Sequence, residues 1–201
     1  MVDKDKIMHL LEVYFRCTKS VSIDSNGLVS CTGTVHLARP VRAFPVKFSH
    51  VNESVYCSYN QLTTLEGAPT SVGGDFVCNY HQLTSLEGAP KSVGKIFYCS
   101  DNQLTTLEGA PKSVGYDFYC INNPLTTLEG MPAIPGTLKL SYSPTLPLLR
   151  CLLAKEVQFF PTLKDKTIET ILNKHTGKGK RAMFDCQKEL EDAGFAENAR
   201  W

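Results

Sequence analysis

The chain has 201 residues, enough for one domain or two small ones. Its 21 Lys+Arg stand against 20 Asp+Glu, a balance that excludes a globally basic, polyanion-coating surface and leaves only a local basic patch open. Hydrophobic residues make up 42 %, a share that supports a packed core rather than disorder, and no apolar run approaches the ~20 residues of a membrane span.

In chain order, residues 3–16 place Ile7, Leu10, Leu11 and Tyr14 at i, i+3, i+4 and i+7, one apolar stripe of a helix. The same stretch has no long apolar run and no small-residue cleavage site, so it does not read as a signal peptide. The expectation is a cytoplasmic protein whose eight cysteines are thiols. Next, "VSIDSNGLVSC" sets Asn26-Gly27 between apolar alternations, a hairpin signal. Helix and hairpin together read as an N-terminal cap over 1–35.

The centre of the chain repeats. "VYCSYNQLTTLEGAPTSVGGD" (55–75) is followed by "FVCNYHQLTSLEGAPKSVGKI" (76–96), "FYCSDNQLTTLEGAPKSVGYD" (97–117) and "FYCINNPLTTLEGMPAIPG" (118–136), with a period of 21. Weaker copies flank these: Val41, Phe44 and Val51 precede Leu62, Leu65 and Val72 by 21, and Leu146 follows Leu125 by 21. Leu138 and Leu140 follow Phe118 and Cys120 by 20, so one residue is missing there. Repeats of roughly 20–29 residues with an F-x-C-x-x-N-x-L-x-x-L core read as leucine-rich repeats, each a turn that buries its apolar face only against its neighbours. This predicts an α+β fold, a leucine-rich-repeat solenoid over 36–146 with a parallel sheet of short strands.

Each repeat position has a reason. Val55, Phe76, Phe97 and Phe118 alternate with Cys57, Cys78, Cys99 and Cys120, so both columns face the core from a short strand. Leu62, Leu83, Leu104 and Leu125, then Leu65, Leu86, Leu107 and Leu128, fill the bend. Asn60, Asn102 and Asn123 turn inward to satisfy backbone groups there, and His81 interrupts that ladder. Gly67, Gly88, Gly109 and Gly130 set tight outer turns, and Gly73, Gly94, Gly115 and Gly136 are expected at φ > 0 before the next strand. The outer side is expected to be extended or 3₁₀.

Beyond 146 the pattern turns helical. Leu148, Leu149, Leu152 and Leu153 read as a short buried segment. Ile168, Ile171, Leu172 and His175 read as a helix ending at Gly177, and Met183, Cys186, Gln187 and Leu190 as a last helix, with Phe195 and Trp201 packing back. Residues 147–201 are therefore expected to form a C-terminal helical cap, folding as one unit with the rest.

The candidate chemistry is sparse. A straight column of cysteines does not converge on a tetrahedral point as zinc ligands do, and serves better as small buried hydrophobes. The Glu66, Glu87, Glu108 and Glu129 column could hold a hard cation, though Lys91, Lys112 and turn amides are nearer explanations. "HTGKGKR" lacks phosphate-loop spacing, leaving Lys174, Lys178, Lys180 and Arg181 as a basic turn able to touch a nucleic-acid backbone. No metal, cofactor, small-molecule substrate, membrane contact or catalytic residue is expected. The outward strand face stands out instead. Tyr56, Val77, Tyr98 and Tyr119 form one column, flanked by Asp75, Ile96 and Asp117 on one side and Asn79 and Ile121 on the other, with Tyr80 bordering the turn. Exposed tyrosines give a large contact area with a polar tip, the chemistry of a protein-binding surface on a concave sheet, although cross-strand stacking alone would also use them.

The repeat "F-x-C-x-x-N-x-L-T-[ST]-L-E-G-A-P-x-S-V-G", the lead-in "IDSNGLVSCTGTVHL" and the tail "GKRAMFDCQKELEDAGFAENARW" resemble a family of leucine-rich-repeat proteins of large tailed bacteriophages, over nearly the whole chain. The resemblance implies a leucine-rich-repeat fold and a viral origin, hence the host cytoplasm or the virion, but no catalytic residues. His81 for Asn, Lys95-Ile96 and the degenerate end repeats depart from the pattern. The function it leaves open is that of a non-enzymatic module holding a host or phage protein for host takeover or counter-defence. A virion component or a nucleic-acid binder are the alternatives.

Overall fold

The computed structural model describes residues 2–201. The chain winds into a parallel-sheet β-solenoid of about seven turns, with three α-helices placed towards its ends. It opens with α1 (Lys4–Tyr14), β1 (Phe15–Cys17), β2 (Val21–Ile23), β3 (Val29–Cys31), β4 (Val35–Leu37) and β5 (Phe48–Val51). The repeats supply β6 (Val55–Tyr56), β7 (Ser71–Val72), β8 (Phe76–Val77), β9 (Ser92–Val93), β10 (Phe97–Tyr98), β11 (Ser113–Val114) and β12 (Phe118–Cys120). Then come β13 (Ile134–Leu140), a 3₁₀ turn (Leu149–Leu153), β14 (Ala154–Phe159), α2 (Thr167–His175) and α3 (Gly179–Asp192).

Two sheets line the solenoid. The front sheet has eight strands in the order β1-β4-β6-β8-β10-β12-β13-β14, and the back sheet six in the order β11-β9-β7-β5-β3-β2. Among the described residues only the end pairs β1–β4 and β2–β3 are antiparallel. The front sheet is the one expected from the Phe-x-Cys pattern. The back sheet goes further than the expected extended outer side: each Ser-Val pair bonds to the next, with Val72 opposite Val93 and Val93 opposite Val114. Phe118 stands opposite Leu138 and Cys120 opposite Leu140, so the front sheet keeps its pairing across the 20-residue turn; a separate register shift between Ile134 and Thr137 lies in the pairing of β13 with β14.

The core lies between the sheets. Phe76, Phe97 and Phe118 are fully buried and stack along the axis, with ring centroids 5.7 and 5.1 Å apart. Leu62, Leu65, Leu83, Leu86, Leu104 and Leu107 have no exposed surface, so each contributes about 1.5–3 kcal/mol of hydrophobic stabilisation. The four repeat cysteines are also fully buried free thiols. Asn102 shows why a buried amide is kept at its position. Its Nδ2 donates to the carbonyls of Cys78, Cys99 and Ser100, and its Oδ1 accepts from the Leu83 amide. Asn123 does the same one turn on.

The glycine assignment divides. Gly67, Gly88, Gly109 and Gly130 make the tight turns expected of them, in the left-handed region with φ between 82° and 88°. Gly73, Gly94, Gly115 and Gly136 do not, contrary to expectation. Their constraint is closeness: a Cβ on Gly94 would collide with the carbonyl oxygen of Gly73, and one on Gly115 with that of Gly94. The left-handed backbone falls on Tyr59, Tyr80, Asp101 and Asn122 instead, at φ 58°, 60°, 55° and 54°.

At the first end, the Asp3 side chain accepts from the Lys6 amide to start α1, which buries Leu11. At the other end, the segment expected to form a helical cap, 147–201, also contains a strand that was not expected, β14, which extends the front sheet beside β13. It buries Ala154, Val157 and Phe159 while Lys155 and Glu156 face solvent, and Pro161 follows it. Helix α2 then seats Ile168, Ile171, Leu172 and His175 inward. The β14 edge is closed by side chains of α2. Asn173 Oδ1 accepts from the Val157 amide and its Nδ2 donates to the Val157 carbonyl, while Glu169 accepts from the Phe159 amide. Buried Asn198 ties the tail to the Ser143 and Leu146 carbonyls. Phe195 packs against the core, whereas Trp201 is half exposed with the Arg150 guanidinium over its ring.

Candidate protein-docking face

The outward residues of the front sheet form ladders because the register is fixed from strand to strand. Tyr56, Val77, Tyr98 and Tyr119 stand opposite one another in that order, as the repeat implies. The register extends the column beyond the repeats: Arg16 and His36 precede Tyr56, and Lys139 and Gln158 follow Tyr119. His36 stacks on Tyr56 at 5.0 Å, Tyr98 meets Tyr119 edge-on at 4.9 Å, and the Lys139 ammonium lies 4.8 Å above the Tyr119 ring. These are favourable cross-strand contacts, so part of the column's role is to stabilise the sheet.

The flanking columns are tied into the backbone. Asp75 accepts from the Ile96 amide and Asp117 from the Thr137 amide, each one turn ahead. Asn79 accepts from the Ser100 amide, and Ser100 from the Ile121 amide. Asp75, Asp117 and Asn79 are therefore fixed in place by the fold; Ile96 sits half-buried between Asp75 and Asp117, and Ile121 is half-buried after Ser100. Asp117 also accepts from the Tyr119 hydroxyl at 3.0 Å. Partial burial, then that hydrogen bond, pushes the Tyr119 phenol up to about 12. Tyr98 is pushed up too, by partial burial first and then by the Asp75 and Asp117 carboxylates on either side.

The turn column adds a pair of rings that the strand periodicity does not single out. Tyr59, 75 % exposed, stacks on Tyr80, 46 % exposed, at 4.4 Å. Asp101 and Asn122 continue that column, linked at 2.9 Å. Tyr80's phenol is pushed up, chiefly by the Tyr59 hydroxyl beside it and then by Asp101. Asn and Asp tolerate left-handed backbone, but for a tyrosine it costs about 1–2 kcal/mol. Tyr59 was legible as the neighbour of Tyr80 one period back. His36 and Lys139 lie 20 residues from their partners rather than 21, which hid them.

The other candidates are placed as follows. The repeat cysteines face the core: the Cys57 and Cys78 thiols donate to the Val77 and Tyr98 carbonyls, and burial pushes the Cys120 thiol up to about 12. Glu66 pairs with Lys47 rather than Lys91, and among the described residues no cluster of three or more His, Cys, Asp or Glu could hold a metal. In the basic turn, Lys174 is bound to Glu189 at 2.8 Å. Lys178, Lys180 and Arg181 are exposed at the start of α3, where no side chain caps the helix. Among the described residues no helix is long and apolar enough to cross a membrane. A shallow trough over the back sheet, floored by Ser71, Ser92, Ser113 and the close-approach glycines, has no titratable group in its lining except His50 at its edge. Compared with models of protein families, with curated proteins and with solved structures, the chain matches none.

Proposed function

We propose that the chain is a leucine-rich-repeat protein that holds another protein on the outer face of its front sheet, without catalysing a reaction. One observation carries the reading. Tyr59 and Tyr80 keep exposed aromatic rings on left-handed backbone, where the next two copies use Asp101 and Asn122. Strain of this kind, held beside an exposed aromatic column, is the mark of a surface kept for recognition. The bacteriophage resemblance supports a role in host takeover or counter-defence, against a host or phage protein.

The test separates recognition from folding. Tyr59→Asn with Tyr80→Asn removes both rings and relieves the backbone, so the variant is expected to melt no lower than the parent. Affinity purification from infected cells, parent against variant, is expected to lose its partner; undiminished recovery sinks the reading. Tyr98→Ala with Tyr119→Ala tests the strand column in the same way.

A second reading has its own observation, the cations Lys178, Lys180 and Arg181 at an uncapped, electropositive helix start, none of them ion-paired among the described residues. Nucleic-acid binding there requires salt-sensitive retention on DNA or RNA that is lost when Lys178, Lys180 and Arg181 are neutralised.

A further inference from the structure

We propose that the partner offers a basic segment, whose Arg or Lys side chains lie against Tyr56 and Tyr98 beside the Asp75 carboxylate. This rests on the docking-face reading above and adds the chemistry of the ligand. The face already shows its preference, because a cation of the chain itself, Lys139, lies over the Tyr119 ring at 4.8 Å. A cation over an aromatic ring is held by the ring's quadrupole, and a carboxylate alongside strengthens the attraction.

The middle of the column carries no cation. Between Arg16 and Lys139 the outward positions of the column are His36, Tyr56, Val77, Tyr98 and Tyr119, none of them a Lys or Arg. Asp75 and Asp117 stand close enough to Tyr98 to add to the upward push that burial gives its phenol, and Asp101 adds to that of Tyr59 on Tyr80. Among the described residues none of the three carboxylates is in an ion pair. Asp117 spends one oxygen on the Thr137 amide and the other on the Tyr119 hydroxyl. Asp75 spends one oxygen on the Ile96 amide, which leaves the second for a ligand. Flat rings, fixed carboxylates and no Lys or Arg in the column between Arg16 and Lys139 complement guanidinium or ammonium groups on an extended chain. The same carboxylates repel phosphate, which disfavours a nucleic acid here. An apolar helix would have to bury them unpaired.

The experiment titrates the full chain with a synthetic peptide of alternating Arg and Gly, and with the same peptide carrying citrulline for arginine. Ring resonances of Tyr56 and Tyr98 report the site. The arginine peptide is expected to bind at least about ten-fold more tightly than its neutral twin at low salt and to lose that margin at high salt. Asp75→Asn keeps the acceptor for the Ile96 amide and is expected to weaken binding about three-fold or more. Lys139→Ala frees the Tyr119 ring and removes a like charge, so it is expected to tighten binding by about three-fold. Equal affinity for the two peptides, or no tightening in Lys139→Ala, overturns the proposal. If the cation requirement fails while the tyrosine-dependent partner is still recovered, the docking face stands without this ligand chemistry. Loss of both results removes the face as well.

Discussion

Replacing His81 by asparagine should make this protein more stable. His81 occupies the inward Asn position of the second full repeat and is 7 % exposed. Its Nδ1 meets the Asn60 carbonyl at 2.7 Å, but its Nε2 is buried without a partner. A buried polar atom in that state costs about 1–3 kcal/mol. At the same position one turn on, Asn102 makes three donor bonds and one acceptor bond. The amide introduced by His81→Asn would offer its oxygen to the Leu62 amide, as Asn102 does to Leu83. The smaller side chain leaves a little empty volume, so the expected net gain is about 1 kcal/mol. For a chain of this size that raises the melting temperature by about 2–4 °C. A second readout comes from protonation. Burial lowers the His81 pKa below 6.5, against a smaller opposing effect of the Asn60 and Cys57 carbonyls. Below 6.5 the unfolded chain takes up a proton that the folded one refuses, so folding free energy present above that pH is lost as the pH falls. His81→Asn removes this loss. Urea unfolding at pH 8 and at about 5.5 should show a gap between variant and parent that widens on acidification. A variant less stable than the parent at pH 8, or a gap that stays constant, refutes the argument.

Other expectations follow from the same contacts. Gly94→Ala drives a methyl into the Gly73 carbonyl and should destabilise by about 1–3 kcal/mol or more, measured by denaturant unfolding; a neutral result would mean the turns can separate. A thiol reagent at pH 8 should label the native repeat cysteines far more slowly than the unfolded chain, since burial pushes those thiols up. Fast labelling at Cys78 or Cys99 would show that the solenoid opens. The Glu189 carboxyl is held below 4.5 first by its hydrogen bond to His175 and then by Lys174. The stability it supplies is present above that pH and lost as the pH falls through its lowered value, so Glu189→Gln should flatten the acid limb of a stability–pH curve.

The solenoid was legible because its period is written in side chains whose burial is forced: a Phe or Cys every 21 residues has only one face to occupy. The Asn column and its His81 interruption followed from counting backbone groups at the bend. The close-approach glycines were misread because sequence shows that a Cβ is absent, not whether a backbone angle or a neighbour forbids it. Strand β14 was hidden by its place after the last repeat, where leucine-rich flanks suggested helices. On the docking face the tyrosine column was visible, yet the left-handed backbone of Tyr59 and Tyr80 was not, because no rule of composition puts tyrosine there. Nor could the sequence show that Asp75, Asn79 and Asp117 hold the next turn's amides, since that depends on the register between turns.

A parallel sheet built by winding has no intrinsic last strand, and each added turn presents the same unsatisfied edge to whatever comes next. Left bare, β14 would be a template on which a second molecule could continue the winding, and a protein built to repeat would become a fibre. The Asn173 amide imitates the missing strand with one donor and one acceptor, and Glu169 covers the next amide. Two polar side chains on a nine-residue helix thus act as a stop signal, making the length of the array a property of the molecule.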